Sequence, residues 1–457
     1  MHLKQLQIKN YRCFTDLSIE LHPQLTVLIA PNGAGKTTIL DAARVALWPF
    51  VKGFDLGSQT GKAANIHPLD VRLTKYVDGN MEPQLPSSIT ATGSWATHRP
   101  EQTWSQTRES IKASTKTLGD SNAKKLTAYA ENLQAEVRVG QEQLTLPLIS
   151  YLGTSRLWFE GRFTSNAEYA TLDVDEYSRT SGYLNCLSYS SSFKAFTAWY
   201  GWVYRAYLES QIAAFQRNVA LDHTGQRFAE TVEVIKLAVD ALVKEATGWH
   251  SLEYSQRHNQ QLIMQHEQHG IMSVDMLSDG LRNAIAMVAD LAFRAYKLNP
   301  HLGARAAQET PGVALIDEVD MFLHPSWQQT ILKSLRTAFP KLQLIVSTHS
   351  PQVLTTVPSE SIRILRQGNV YAAPAGTEGA TPGRLLTSTL GLASERPEQN
   401  VATQELLQYL DMVNRDDWNS EEALALRAKL DQRYQGNEPA LLEADLLIEN
   451  RQWERGA

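Results

Sequence analysis

Ala30-Pro31-Asn32-Gly33-Ala34-Gly35-Lys36-Thr37-Thr38 is the stretch on which the reading of this 457-residue chain turns. A continuous apolar run, Leu25-Thr26-Val27-Leu28-Ile29-Ala30, precedes it and reads as a central strand. A helical pattern from about Lys36 to Trp48 follows, with Pro49 expected to end it. The spacing matches G-x-x-x-x-G-K-[ST] except at the first position, where Ala30 stands for glycine. Strand, glycine turn and helix together make a phosphate cradle. Gly33 and Gly35 let backbone N–H groups converge, and the helix N-terminus adds its dipole. Asn32, Gly33, Ala34, Gly35, Lys36, Thr37 and Thr38 are therefore candidate ATP contacts. Lys36 suits the β- and γ-phosphates, and the Thr37 hydroxyl suits Mg2+. Chance glycines in an ordinary strand-turn-helix would not be expected between so buried a strand and so regular a helix.

A second acidic motif stands about 280 residues later. Val313-Ala314-Leu315-Ile316 reads as a buried strand from whose end Asp317 and Glu318 emerge. Asp317 is the candidate magnesium-shell ligand. Glu318 is the candidate catalytic group that polarises water for attack on a γ-phosphate. Two further elements bear on the same chemistry. Leu277-Ser278-Asp279-Gly280-Leu281 opens a helix, so Ser278, Asp279 and Gly280 form a second candidate anion site. His349 ends the apolar strand Lys341–Ser347 with Thr348 and is the second candidate catalytic residue. Taken singly, Ser278 reads as a helix cap and His349 as a satisfied core histidine.

The bulk composition sets limits. Hydrophobic residues make up 43% and charged residues 20%, an ordinary globular balance that fits two or three domains. The net charge of −6 argues against a surface that coats nucleic acid. Cys13 and Cys186 are too few for a metal cluster and are expected as reduced thiols. The spacing of His258, His266 and His269 fits no zinc pattern. The N-terminus lacks the apolar run of a signal peptide, and no stretch approaches about 18 uninterrupted apolar residues. A bacterial cytoplasmic protein without a membrane partner is expected.

Along the chain, Leu3, Leu6 and Ile8, then Phe14 to Leu21, read as strands. Residues 101–138 are polar and read as helical, with a break at Gly119-Asp120. Pro147–Leu152 reads as a buried strand and residues 159–192 as loop. Residues 193–217 and 227–247 are expected as helices packed on each other, and Leu252 to Met264 as a hairpin about His258-Asn259. After about 400 the pattern is helical, with Asn419 and Glu422 as a cap signal, a stop at Gly436 and a last helix opened by Pro439.

In this order — cradle, Ser-x-Gly turn, Asp-Glu strand, Ser-Thr-His strand — the set resembles the ABC-type ATPases of the SMC, RecF and OLD-like branch. The opening Ile8-Lys9-Asn10-Tyr11-Arg12-Cys13-Phe14 is similar to that branch's usual start. The resemblance covers residues 1–50 and about 250–370. It implies an α/β fold: an ABC-type P-loop ATPase head with a mixed β-sheet, an inserted mainly helical lobe and a helical C-terminal tail. The head halves fall at 1–50 and 251–375, the lobe at 51–250 with one core strand near 147–152, and the tail at 380–457, where partner binding or oligomerisation is expected. It also implies head-to-head homodimers with two ATPs between them, Lys36 of one copy facing Ser278 and Gly280 of the other. Ala30 and Asp279 depart from the family pattern and point to slow hydrolysis. Tyr151 to Arg156 lies where a glutamine loop is expected.

The insertion, residues 38–277, is too short for long coiled-coil arms. Only 108 residues follow His349, helical and without an Asp-x-Asp strand end, so no intrinsic nuclease is expected. Pro147–Trp158, Thr381-Pro382-Gly383, Leu390-Gly391-Leu392 and Arg396-Pro397 are similar to the Septu anti-phage ATPases, the PtuA family, and to retron-associated ATPases. That resemblance implies an HNH endonuclease partner, PtuB, assembly into a higher homo-oligomer, and DNA contact through the complex. ATP is expected to restrain the nuclease. A RecF-like repair ATPase that binds DNA in an ATP-dependent way without a nuclease is the alternative.

Overall fold

The computed structural model describes residues 1–56, 63–77, 79–96, 100–154, 178–188 and 193–456. In chain order the strands are β1 (His2–Tyr11), β2 (Phe14–Glu20), β3 (Leu25–Ile29), β4 (Leu73–Lys75), β5 (Met81–Pro83), β6 (Ser87–Ser94), β7 (Gln102–Arg108), β8 (Leu118–Gly119) and β9 (Leu148–Leu152). They continue with β10 (His250–Ser255), β11 (Gln261–His266), β12 (Gly270–Ser273), β13 (Gly312–Ile316), β14 (Leu342–Ser347), β15 (Ile362–Arg366) and β16 (Asn369–Ala372). The longer helices are α1 (Lys36–Val51), α2 (Ser121–Arg138), α3 (Phe193–Arg217), α4 (His223–Thr247), α5 (Asp279–Leu298), α6 (Val401–Asn414), α7 (Glu421–Tyr434) and α8 (Pro439–Gly456). Residues 1–385 form one compact unit and 386–457 another.

The first unit is built on a six-stranded sheet in the order β16-β15-β3-β14-β13-β9. Five strands are parallel, and β16 is an antiparallel edge. Every residue of β3, β9, β13 and β14 is buried, which is why each reads as a near-continuous apolar run. Although they lie far apart in sequence, β3, β14 and β13 are adjacent, so the cradle and the acidic motif emerge at the same edge of the sheet. The mixed α/β head is thus as expected.

The first part of the insertion differs from the expected helical lobe. Residues 102–108 are a strand, and β6, β7 and β8 extend the N-terminal hairpin into an antiparallel sheet, β2-β1-β6-β7-β8. Alternation decides this: Ser87, Ile89 and Ala91 of β6, and Trp104, Gln106 and Arg108 of β7, turn inward at every second position. The sheet packs on α1, where the Trp104 indole N–H donates to the Ala46 carbonyl at 2.7 Å. Helix begins only at α2, capped by Asp120, whose carboxylate accepts from the Ala123 N–H. The Leu252–Met264 hairpin gains a third strand, β12, and turns through Asn259 and Gln260 at φ +54° and +58°. His266 and His269 lie against Trp249 at its far end. The loop reading of residues 159–192 and the segment from Ser155 to Trp158 lie largely outside the described residues.

Pro49 does not end α1. The helix runs to Val51 because Phe50 and Val51 are wholly buried, and that burial outweighs one missing ladder hydrogen bond.

The second unit is a helical bundle. Leu406, Tyr409 and Val413 of α6, Leu430 of α7, and Leu441 and Ala444 of α8 share one apolar core with Trp418. The cap of α7 is Ser420, which accepts from the Ala423 N–H, rather than Asn419. Ion pairs lace the surface: Arg396 with Glu438, Arg415 with Asp411, and Arg427 with Asp431 and Asp445. Lys429 and Arg433 share Glu405, while Arg451 and Arg455 share Asp416. No described helix is long and apolar enough to cross a membrane.

Candidate active site

Register places the chemistry. Val346 of β14 pairs with Val27 on one side and Ile316 on the other, and Ser347 pairs with Leu28. The next residue after Ile316 is Asp317, so it meets Ser347. Residues 348–349 end beside the start of the cradle, and the Thr348 N–H donates to the Leu28 carbonyl.

The cradle has the backbone its sequence requires. Gly33 and Gly35 stand at φ +79° and +105°, a region that disfavours side chains. A Cβ at Gly35 would lie 2.4 Å from the Phe14 ring, so the hairpin tip between β1 and β2 forms the floor under the turn. Arg12, in the same tip, pairs with Asp41 of α1 at 2.5 Å and with Asp70 at 2.8 Å. The opening segment, read from sequence as a strand start and as similar to the family's usual beginning, thereby positions the cradle. Gly35 is also the N-cap of α1 and brings no side chain to cap it, which leaves the first-turn N–H groups for a ligand.

The side chains converge. The Thr37 hydroxyl donates to Asp317 Oδ2 at 2.8 Å. The Ser347 hydroxyl donates to Asp317 Oδ1 at 2.5 Å and accepts from the Glu318 N–H at 2.8 Å. Ser347 is thus a positioning residue that the sequence showed only as a strand end. Glu318 lies at φ +48°, a left-handed backbone held by this bond and by the Val319 N–H on the Ser347 carbonyl. Lys36 Nζ donates to the Ala30 carbonyl at 3.2 Å and sits 2.6 Å from His349 Nε2. An ammonium at that distance requires His349 to be neutral, with its proton on Nδ1. Burial lowers the His349 pKa and Lys36 lowers it further. Burial also lowers that of Lys36, opposed by Asp317 and Glu318.

Ser278, Asp279 and Gly280 are held by other partners. Ser278 caps α5, its hydroxyl accepting from the Leu281 N–H at 3.4 Å. Asp279 pairs with Arg282. A Cβ at Gly280 would lie 2.4 Å from the Phe322 carbonyl oxygen, and the Asn283 amide donates to the Met321 carbonyl at 3.0 Å. The helix start is therefore fastened to the segment just after Asp317-Glu318, with Met276 and Phe322 exposed beside it. Asn32 is exposed at the rim of the turn, Ala34 closes it on the Pro31 carbonyl, and Thr38 is buried. Arg156 lies outside the described residues.

This donor set fits a magnesium–nucleotide. It offers two positive-φ glycines, an uncapped helix start, an ammonium for phosphate, and a hydroxyl and carboxylate in contact for a hard cation. Fold and site together define a P-loop ATPase. A family model described as an AAA domain matches residues 5–236, half of the chain, and the chain belongs to that family. A second, described as "AAA domain, putative AbiEii toxin, Type IV TA system", matches residues 145–355.

The chain is 39% identical over 183 residues to a Retron Ec83 probable ATPase of Escherichia coli, which covers 40% of this chain and 33% of that protein. It is 24% identical over 407 residues to a Retron Vc95 probable ATPase of Vibrio cholerae serotype O1 biovar El Tor, covering 80% and 74%. It is 29% identical over 160 residues to the Septu protein PtuA of Bacillus mycoides (strain KBAB4), covering 34% and 22%. The matched part thus spans a third of the Ec83 relative and less than a quarter of PtuA. Among solved structures, the SMC head domain from Thermotoga maritima aligns over 82% of this chain and all of its own, at 16% identity and a TM-score of 0.41.

Proposed function

We propose that the chain is an ATP-hydrolysing regulatory subunit of an anti-phage defence complex, and that it scaffolds and gates an HNH endonuclease. The observation that carries the ATPase half is the Thr37–Asp317 hydrogen bond at 2.8 Å, which joins two motifs 280 residues apart into one site. Lys36 neutralises charge on the β- and γ-phosphates. Glu318 orients water and accepts its proton as the bond from the γ-phosphorus to the bridging oxygen breaks, giving ADP and phosphate. Thr37 and Asp317 would hold Mg2+, which adds neutralisation of phosphate charge when bound.

Ser278 and Gly280 complete the site from a second copy in this proposal. Support comes from the fastening of α5 to residues 321–323 and from the exposed Met276 and Phe322 beside it, a surface suited to another head. The defence half rests on the likeness to proteins named for retrons and Septu.

The test is to titrate ATP against DNA cleavage by the chain together with its HNH partner. Cleavage that falls as ATP rises fits restraint by the nucleotide, and rising cleavage reverses the sign. Steeply salt-dependent, ATP-dependent duplex binding by the isolated chain would favour a RecF-like repair role instead.

A further inference from the structure

The acidity of the molecule is concentrated in the second unit. Residues 386–457 carry 14 Asp and Glu against 7 Lys and Arg, a net of −7, whereas residues 1–385 carry 36 Lys and Arg against 35 Asp and Glu. All seven bases of the unit are spent on internal ion pairs. Those pairs use six acids, which leaves eight carboxylates outside any ion pair among the described residues. Three of the eight, Glu443, Glu449 and Glu454, are exposed on α8.

The same helix carries an apolar stripe that its bundle does not cover. Leu441, Ala444, Leu447 and Ile448 pack inward, but Leu442, Leu446 and Trp453 are 54%, 60% and 76% exposed. Steps of four and seven residues put these three on one face. Glu449 falls inside the stripe, three residues after Leu446 and four before Trp453. Glu443 and Glu454 lie along one flank of it.

We infer that this face of α8 is a docking site for a basic amphipathic helix of a second protein. The occupant would lay apolar side chains on Leu442, Leu446 and Trp453 and set Lys or Arg against Glu443, Glu449 and Glu454. Charge selects this occupant. A second copy of the chain would bring the same carboxylates against each other, and a nucleic acid would meet an anionic surface with no spare base on it. A protein that itself binds nucleic acid has the required basic character, so the inference rests on reading the chain as one subunit of a two-protein system.

The test uses the full chain and a fluorescein-labelled 18-residue helix of leucine and lysine, matched in length to α8, with a leucine–glutamate version as control. The basic peptide is expected to bind, more weakly as salt rises from about 50 to about 500 mM, and the acidic one not to bind. Leu446→Glu with Trp453→Glu, and separately Glu443→Lys with Glu449→Lys, are expected to weaken binding at least about tenfold. Melting temperature and ATP turnover should stay unchanged, and Glu360→Lys, a single-charge control in the first unit, should leave binding unchanged.

Equal binding by all variants, or by the acidic peptide, would overturn the inference. So would self-association lost on Trp453→Glu, which makes a second copy the occupant, or displacement of the peptide by duplex DNA. A chain that binds the basic peptide through this face but hydrolyses no ATP upholds the docking face and sinks the ATPase reading, so the two failures can be told apart.

Discussion

In the proposed mechanism Lys36, Thr37, Asp317 and Glu318 divide the chemistry, and each is expected to fail in its own way. Lys36→Ala removes the ammonium that meets the phosphates and is expected to weaken ATP binding by about 100-fold, as measured by a fluorescent nucleotide. Glu318→Gln keeps shape but loses the base. Turnover should fall by about 10² to 10⁴ while ATP still binds; an unchanged rate would remove Glu318 from the reaction. Gly35→Ala meets both a forbidden φ and the Phe14 ring and should cost about 1–3 kcal/mol in stability, seen in thermal melts, with part of it recovered by Phe14→Leu. The cradle turn and the acidic strand end, which Thr37 and Asp317 bring into contact, were legible in the sequence because the spacing of a phosphate cradle is set by backbone geometry. Phe14 and Ser347 were not, because their roles depend on pairing between strands that lie far apart along the chain. The plain reading of Ser278 as a cap and its proposed part in an anion site are compatible, since a cap holds the helix start open to solvent.

Among the elements, β6 and β7 show where patterning misleads. Ser87–Ser94 alternates, but apart from Ile89 with small and hydroxyl side chains, so little hydrophobic contrast marks its inner face. In β7 the one apolar inward residue is Trp104, followed by the buried polar Gln106 and Arg108, and such a stretch reads as a polar helix until its partner strand is known. Trp104 ties this sheet to the cradle helix. Trp104→Ala is expected to cost about 3–5 kcal/mol and Trp104→Phe about 1 kcal/mol for the lost hydrogen bond, by chemical denaturation.

The helices of the second unit carry a pH signature of their own. Hydrogen bonds from Arg396 lower the pKa of Glu438, and those from Lys429 and Arg433 lower that of Glu405. A lowered folded-state pKa contributes stability in full above the ordinary carboxylate value and loses it as pH falls through the lowered one. Hydrogen-exchange protection in residues 401–456 should therefore be level near neutrality and decline below about pH 4. Protection that rose on acidification would contradict those pairings.

At the scale of the whole molecule, the order of motifs gave the head because β3, β14 and β13 are adjacent whatever lies between them in sequence. The sequence set the tail apart by its change of character near 380 and its helical periodicity after about 400, and the compact units divide between residues 385 and 386. The inserted sheet was not, since it completes a hairpin begun at residue 2. In the proposed assembly one chain holds half of each active site. The most direct measurement mixes Lys36→Ala with Ser278→Arg and follows ATP turnover. Neither variant should hydrolyse ATP alone. Mixed in equal amounts, they should recover roughly a quarter of the unaltered rate, because half of the pairs are mixed and each mixed pair has one complete site of two. Full turnover by Ser278→Arg alone, or a mixture that stays silent while the unaltered chain hydrolyses ATP, would contradict a site shared between two copies.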